Sequence, residues 1–286
     1  TALTSIVEFG SDARYLVQLG LRQCNRSLRP AFQAIFDRAE ISPVEITEEQ
    51  FGFILAPRLN AVGRLGDANP LIEFLLTPHK TLAEVTAARL EGMNAQRKLL
   101  TDQVFGAAQS QVEQHPDLLQ NPILILSHPQ WSAGVLGIVA SRLVELYQRP
   151  VILLQSPAGQ PARGSARSIE GVHITAALSE AQSLLLGFGG HPMAAGLSLP
   201  EENLPAFQRT MIKIVERMKQ EQNLTLELNL DAQIPWADLA LPLAESFKRL
   251  APFGPGNPAP ILYSKNLSVA SYTRLGKTGE HLLVVV

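Results

Sequence analysis

The sequence predicts an α/β fold: a βαβ-type sheet flanked by helices, a long connecting helix before it, and a strand-rich C-terminal stretch. Three observations predict it. Short apolar runs at Ile123-Leu-Ile-Leu126 and Val151-Ile-Leu-Leu154 enclose a helical pattern at Val135–Tyr147, and strand-helix-strand order implies a right-handed crossover with binding loops at the strand ends. From Thr81 to about His115 the apolar residues Leu82, Val85, Leu90, Met93, Leu99, Leu100, Val104 and Val112 recur at three- and four-residue steps, and no proline intervenes before Pro116. Runs that alternate or stay apolar fill Pro260–Tyr263, Leu267–Thr273 and His281–Val286.

The remaining elements follow in order. Ser11-Asp12 is placed to cap a helix through Arg14, Leu16, Val17, Leu19 and Leu21, and Arg29-Pro30 precedes another over Ala31–Ala39. Ile46-Thr-Glu-Glu49 reads as a helix start with early carboxylates. The long helical pattern would reach about 50 Å at 1.5 Å per residue, which suits a connector between domains. Two further helices are expected over Thr175–Leu186 and Ala206–Glu221, a strand at Leu224–Leu228 and a helix near Pro242–Leu250. Ala251-Pro-Phe-Gly-Pro-Gly-Asn-Pro258 is too rich in Pro and Gly for a regular element and reads as a rigid turn. Gly276-Lys-Thr-Gly279 is a hairpin signal. The expected segments are 1–79, a connecting helix over 80–118, an α/β unit over 119–222 and a strand-rich unit over 223–286.

Composition narrows the function classes. At 286 residues there is room for about two domains, and 46% hydrophobic content supplies sizeable cores. A single cysteine, Cys24, precludes an internal disulfide. No apolar run approaches the ~18–20 residues of a membrane span, so the chain reads as cytoplasmic with no membrane partner. The net charge of −2 gives no global basic field for nucleic acid, which argues against a non-specific coat protein but not against a local basic groove.

Two clusters suit an anion. Gly187-Phe-Gly-Gly-His-Pro-Met-Ala-Ala-Gly196 holds four glycines and one imidazole. Such a stretch belongs where backbone approaches something closely or points amides at an anion. Taken alone it reads rather as a tight loop whose His191 caps nearby backbone. Upstream, Arg163-Gly-Ser-Ala-Arg-Ser168 places Ser165 and Arg167 two apart, on one face of an extended segment. A hydroxyl beside a guanidinium suits phosphate or carboxylate, although solvated surface arginines are the plain alternative.

These two clusters, with Trp131-Ser-Ala-Gly-Val-Leu-Gly-Ile-Val-Ala-Ser-Arg-Leu143, Pro57-Arg-Leu-Asn-Ala-Val-Gly-Arg64 and Leu250-Ala-Pro-Phe-Gly-Pro-Gly-Asn-Pro258, occur in an order that resembles the RecJ family. That family comprises single-strand-specific 5′→3′ DNA exonucleases of the DHH phosphoesterase superfamily. The resemblance implies the end of a DHH catalytic domain over 1–79, a DHHA1 accessory domain over 119–222 and the start of an OB-type β-barrel over 223–286, with the chain stopping mid-barrel. It implies substrate contacts from Arg58, Asn60, Arg64, Ser165, Arg167, Gly189, Gly190 and His191, with single-stranded DNA as partner. Single-strand-binding protein or other replication and repair factors are further expected partners. Tyr263, Tyr272, Arg274 and Lys277 are candidate strand contacts in the barrel, where aromatic side chains otherwise serve the core.

The same resemblance implies a pair of Mn2+ or Mg2+ ions in the parent enzyme. The chain contains no Asp-His-His triplet, and its histidines at 79, 115, 128, 173, 191 and 281 are scattered. No bound metal and no nuclease activity are therefore expected of these residues alone. Ser5 stands where the family places a metal-binding Asp, and Ser132 where it usually has His. For His191 three roles stay open: polarising the scissile phosphate, donating or accepting as a neutral partner, and shaping the loop. Two alternatives to an exonuclease remain: a DHH-family oligoribonuclease or cyclic-dinucleotide phosphodiesterase, and a non-catalytic replication or repair scaffold.

Overall fold

The computed structural model describes residues 8–41, 45–222, 228–276, 279 and 281–286. Its elements begin with helices α1 (Ser11–Arg26), α2 (Pro30–Arg38), the single turn α3 (Glu48–Gln50), a π-helical turn at Phe51–Leu55, α4 (Ala56–Leu65), α5 (Pro70–Leu76) and α6 (Lys80–Gln114). An α/β region follows with β1 (Leu124–His128), α7 (Ala133–Tyr147), β2 (Val151–Gln155), β3 (Ala162–Arg167), α8 (Ile174–Glu180), β4 (Gly187–His191), β5 (Ala194–Leu199) and α9 (Leu204–Gln222). The last elements are β6 (Ala232–Gln233), α10 (Leu241–Lys248), β7 (Leu262–Tyr263), β8 (Ser271–Leu275) and β9 (His281–Val285). The chain divides into two compact units, one of Arg29–Ser42 with Phe53–Thr225, the other of Thr1–Leu28, Pro43–Gly52 and Leu226–Val286.

The larger unit is built on a five-stranded sheet of order β1-β2-β3-β5-β4. Within it only β1 and β2 are parallel, joined by α7 as expected of the βαβ reading; the other pairings are antiparallel. Alternation along the strands sends side chains to two faces. On one face Ile125, Ile152, Leu154, Ala166, Leu197 and Leu199 pack with Ile174, Leu178, Phe207 and Met211 of α8 and α9. On the other, Leu124, Leu126, Val151 and Leu153 pack with Val135, Leu136, Val139 and Leu143 of α7 and with Val104, Ala108 and Val112 of α6. Each of the larger of these side chains contributes about 1.5–3 kcal/mol by leaving water.

At 35 residues α6 has the predicted length, but its buried stripe differs from the predicted one. Ala83, Ala87, Leu90, Asn94, Thr101, Val104, Ala108 and Val112 are buried, while Leu82, Val85 and Leu99 are exposed. The helix packs against α2, α4 and α7, and close helix-helix approach selects small side chains over large ones. The other helix differences are local. Gly10 rather than Ser11 is the N-cap of α1, so Ser11 and Asp12 lie in its first turn. The helix expected over Thr175–Leu186 ends at Glu180, because the Leu186 amide already pairs with the Ser198 carbonyl and commits the chain to the sheet.

In the smaller unit the Pro- and Gly-rich turn is knitted to its surroundings. Arg14 donates to the Leu250 carbonyl at 2.6 Å, Gln18 to the Ala251 carbonyl at 3.2 Å, and the Phe253 amide to Glu48 Oε1 at 2.7 Å. The Ala251–Pro252 peptide is cis. Thr47 and Gln50 form a capping box at α3. Strands β6 and β7 pair in parallel, and β8 and β9 form the expected hairpin, with Gly276 and Gly279 both at positive φ. Of the strand expected at Leu224–Leu228, residues 224–227 lie outside the described residues.

Phe207 is fully buried between α9 and the sheet. Phe207→Ala is expected to cost about 3–5 kcal/mol, read as a lowered urea midpoint with little change in slope.

Candidate nucleic-acid interface

Register arithmetic assembles the site. Arg167 pairs with Ala194 across β3 and β5, and Ala194 with His191 across β5 and β4. The next rows are Ser165–Gly196–Gly189 and Arg163–Ser198–Gly187. Directly opposed residues share a face, and Arg167 and Ser165 oppose Val151 and Leu153, so all three rows lie on the α7 face of the sheet. None of the buried residues packed on that face comes from β4 or β5 among the described residues. There Gly187, Gly189 and Gly196 are exposed, and a Cβ added at Gly189 would meet nothing within 4 Å. The result is an open floor of small residues bordered by Arg163, Arg167 and His191.

This arrangement corrects the expectation of a phosphate loop at a strand end. Gly187–Gly196 is a hairpin whose only non-strand residues are Pro192 and Met193. Backbone bonds from Ile174 to the Pro192 carbonyl and from Ser168 to the Met193 carbonyl pin that turn. Thr175 Oγ1 donates to the His191 carbonyl at 2.6 Å, so the backbone under His191 is fixed while its ring is exposed. His191 and Arg167 lie two strands apart, about 10 Å between Cα atoms at the usual strand spacing. Gly190 faces the opposite side with a φ of 152°, and a Cβ there would lie 2.2 Å from the Ala194 carbonyl oxygen. Its task is to close the hairpin rather than to touch a ligand.

Beside the floor stands a cluster of guanidinium groups. Arg64, in the last turn of α4, donates to the Gly134 carbonyl at 3.0 Å. Gly134 sits so close that a Cβ would come 2.4 Å from the Arg64 carbonyl oxygen. Arg167 lies over the next turn of α7, where a Cβ on Gly137 would come 2.6 Å from its Nη2. Burial, and then the charge of Arg64, hold Arg167 below the ordinary guanidinium pKa. Burial, and then Arg97, do the same to Arg64. Arg97 is lowered by burial and partly restored by Asp102. Among the described residues neither Arg64 nor Arg167 forms an ion pair. A lowered base pKa means that stability rises with pH only above the folded value, in strongly alkaline solution. Through the neutral range all three guanidinium groups stay charged.

The other predicted residues divide. Asn60 is exposed one turn before Arg64 on the same helix face. Arg58 is turned away from this role: its guanidinium is held by Glu91 and by the Ile54 carbonyl. Ser132 is the N-cap of α7 without a side-chain cap bond. His128 stacks on Trp131 at 5.8 Å and accepts from the Gln130 amide, a structural place. Tyr263 is half-buried and donates to Gln233, whereas Tyr272 and Arg274 are exposed on one face of β8. Lys277 and Ser5 lie outside the described residues. Sequence reasoning missed Arg97. It sits on α6 between Asn94 and Thr101, in line with the buried stripe, and its Nε and Nη2 donate to Asn94 Oδ1. A charged residue in register with a buried helical stripe was the available signal.

Among the described residues no three His, Cys, Asp or Glu side chains come together to hold a metal ion. These residues do not fit a divalent cation; what they can do is bind and orient an anion. Inorganic pyrophosphate is therefore expected to raise Tm by several degrees at a hundredfold excess over Kd, where ligand binding stabilises by about 2.7 kcal/mol. Arg167→Gln should abolish the rise in differential scanning fluorimetry. Gly190→Ala, in contrast, should lower the Tm of the free chain by several degrees, because it strains the hairpin.

The chain is similar to known proteins along most of its length. Residues 120–217 match the DHHA1 domain family and residues 230–286 the RecJ OB domain family. The single-stranded-DNA-specific exonuclease RecJ of Bacillus subtilis (strain 168) is 31% identical over 285 residues, 99% of this chain and 36% of that protein. Crystal structures of Thermus thermophilus RecJ in complex with Mg2+ and with Mn2+ superpose over the whole chain with TM-scores of 0.82 and 0.84 at 28% and 27% identity. The chain spans 43% and 41% of those two chains, so it corresponds to less than half of each relative. With a DHHA1 domain and a RecJ OB domain in this order and the fold shared throughout, the chain is similar over its whole length to part of RecJ.

Proposed function

We propose that this chain is the strand-gripping part of a RecJ-like 5′→3′ exonuclease acting on single-stranded DNA. The guanidinium cluster carries the reading: cations strained by burial and mutual repulsion, opening beside a sheet face without bulky side chains. Arg64 and Arg167 hold oxygens of the 5′-terminal phosphate through paired N–H donors, and the Ser165 hydroxyl adds a third donor. Arg97 contributes its charge from behind. The floor at Gly187, Gly189 and Gly196 lets a sugar-phosphate backbone lie against protein backbone, and His191 meets it across the floor from Arg167. In the smaller unit, taken by itself, Tyr272 and Arg274 offer a stacking ring and a cation to a single strand.

Hydrolysis of the phosphodiester is the work of the complete protein. There a divalent metal supplies an activated water and stabilises the leaving oxygen, at ligands other than the residues described. These residues bind the 5′ end and fix the register of the scissile bond. Isolated, the chain is expected to bind without cleaving, in a cytoplasmic setting. Among the described residues no helix is long and apolar enough to cross a membrane.

The test is fluorescence anisotropy with short single strands bearing a 5′-phosphate or a 5′-hydroxyl, at two salt concentrations. The phosphorylated strand is expected to bind about tenfold or more tightly, as for a charge-assisted bidentate contact. Arg167→Ala should remove that preference, and added salt should weaken both strands. Equal affinity for the two strands, or none for either, refutes the 5′-end grip. Manganese-dependent degradation by the purified chain refutes the division of labour.

A further inference from the structure

We infer that Gly137 is a positioning residue for the phosphate grip: the bare helix surface it leaves on α7 is the seat of the Arg167 guanidinium. The inference rests on the reading of Arg167 as a phosphate ligand. Gly137 is buried in the interior of a 15-residue helix, where glycine is the worst ordinary choice after proline. Nothing in helix formation favours it there. The three atoms nearest a Cβ at Gly137 all belong to one group: Nη2 of Arg167 at 2.6 Å, Cζ at 3.2 Å and Nη1 at 3.6 Å. The planar guanidinium thus lies against the helix where a methyl group would stand.

Three consequences follow for the geometry of the grip. The seat fixes how far Arg167 reaches past β3, since its Nη1 is also held by the Ala166 carbonyl at 2.8 Å. It keeps the fork beside Arg64, whose own place is set one turn earlier by Gly134. The two glycines are three apart on α7 and so lie on one helix face. They differ in what they meet. A Cβ at Gly134 would strike the backbone carbonyl of Arg64 at 2.4 Å, so α4 itself would have to move. At Gly137 it would strike only the end of a side chain, which can swing away. Gly137→Ala therefore removes the seat and leaves the fold.

The experiment is a double-mutant cycle in the 286-residue chain: G137A, R167K and the pair together. Three quantities are read for each: Tm, the affinity ratio for a 5′-phosphorylated over a 5′-hydroxyl single strand, and the Arg167 Nε–Hε resonance, assigned by its loss in R167K. In G137A, Tm is expected to hold or rise, the affinity ratio to fall about tenfold through loss of one bidentate contact, and the resonance to move. In the R167K background, which lacks the Nη2 that meets the Cβ, the same alanine should change the ratio by less than about twofold. Gly134→Ala, the contrasting variant, should lower Tm. Equal losses in both backgrounds would mean that alanine acts through the helix rather than through Arg167, and would overturn the inference. So would an unmoved resonance in G137A. If the unaltered chain shows no 5′-phosphate preference, the 5′-end grip fails, and the resonance still decides whether Gly137 seats Arg167.

Discussion

The crowding of Arg64, Arg97 and Arg167 beside the sheet is the constraint the scaffold has to hold in place. Burial, and then a neighbouring guanidinium, push Arg64 and Arg167 each below the ordinary pKa. Proteins keep such strain where it is useful, because the strained groups bind the right counter-charge more tightly than relaxed ones do. Here the means of restraint are visible. Arg97 is tied to Asn94 within the buried stripe of α6, Arg64 to the Gly134 carbonyl, and Arg167 to its own strand. Each tie uses a neutral acceptor. A carboxylate would relieve the repulsion but would also occupy the place a phosphate needs.

The sheet supplies the rigidity for this. Its two hydrophobic layers bury the strands completely at Ile152, Leu153 and Leu154, the part of the sheet next to β3. Beyond β3 the α7 face is bare, and β5 and β4 present glycine, alanine and serine there while their other face stays packed against α8 and α9. One sheet thereby has a covered half beside Arg167 and, among the described residues, an open half whose opposite face is packed at Ala195, Leu197 and Leu199.

Much of this was legible in the sequence and some was not, for reasons that differ by residue. The βαβ core could be read because apolar runs and a helical period are local signals. Ser165 and Arg167 could be paired because strand alternation has a period of two. Gly189 and Gly190 could not be told apart while the stretch read as a loop: as strand β4 it alternates, and the register with β5 shows which of the two faces α7. Arg58 and Arg64 are alike in type and neighbourhood, yet one is held by Glu91, 33 residues away along the chain, and no local pattern reveals that. Arg97 was hidden for a different reason. The large apolar residues of α6 suggested one helix face, and close packing by alanines chose another.

A net charge of −2 is compatible with nucleic-acid binding for the same structural reason. Long-range steering depends on total charge, but a grip depends on the few cations that reach the phosphate at contact distance, inside the screening length of about 8–10 Å. A chain covered with arginine would bind any polyanion along its length. A chain with near-zero net charge and three crowded guanidinium groups favours a place where phosphate charge is concentrated, and a 5′-terminal phosphate, with an extra ionisable oxygen, is such a place. The floor then limits what can follow. On the proposed reading it accepts backbone lying flat against backbone and, among the described residues, offers small side chains rather than base-edge readers, which would select the end of a strand and not its sequence. Crowded guanidinium groups, an open stretch of sheet and a seated arginine would then be three parts of the proposed grip.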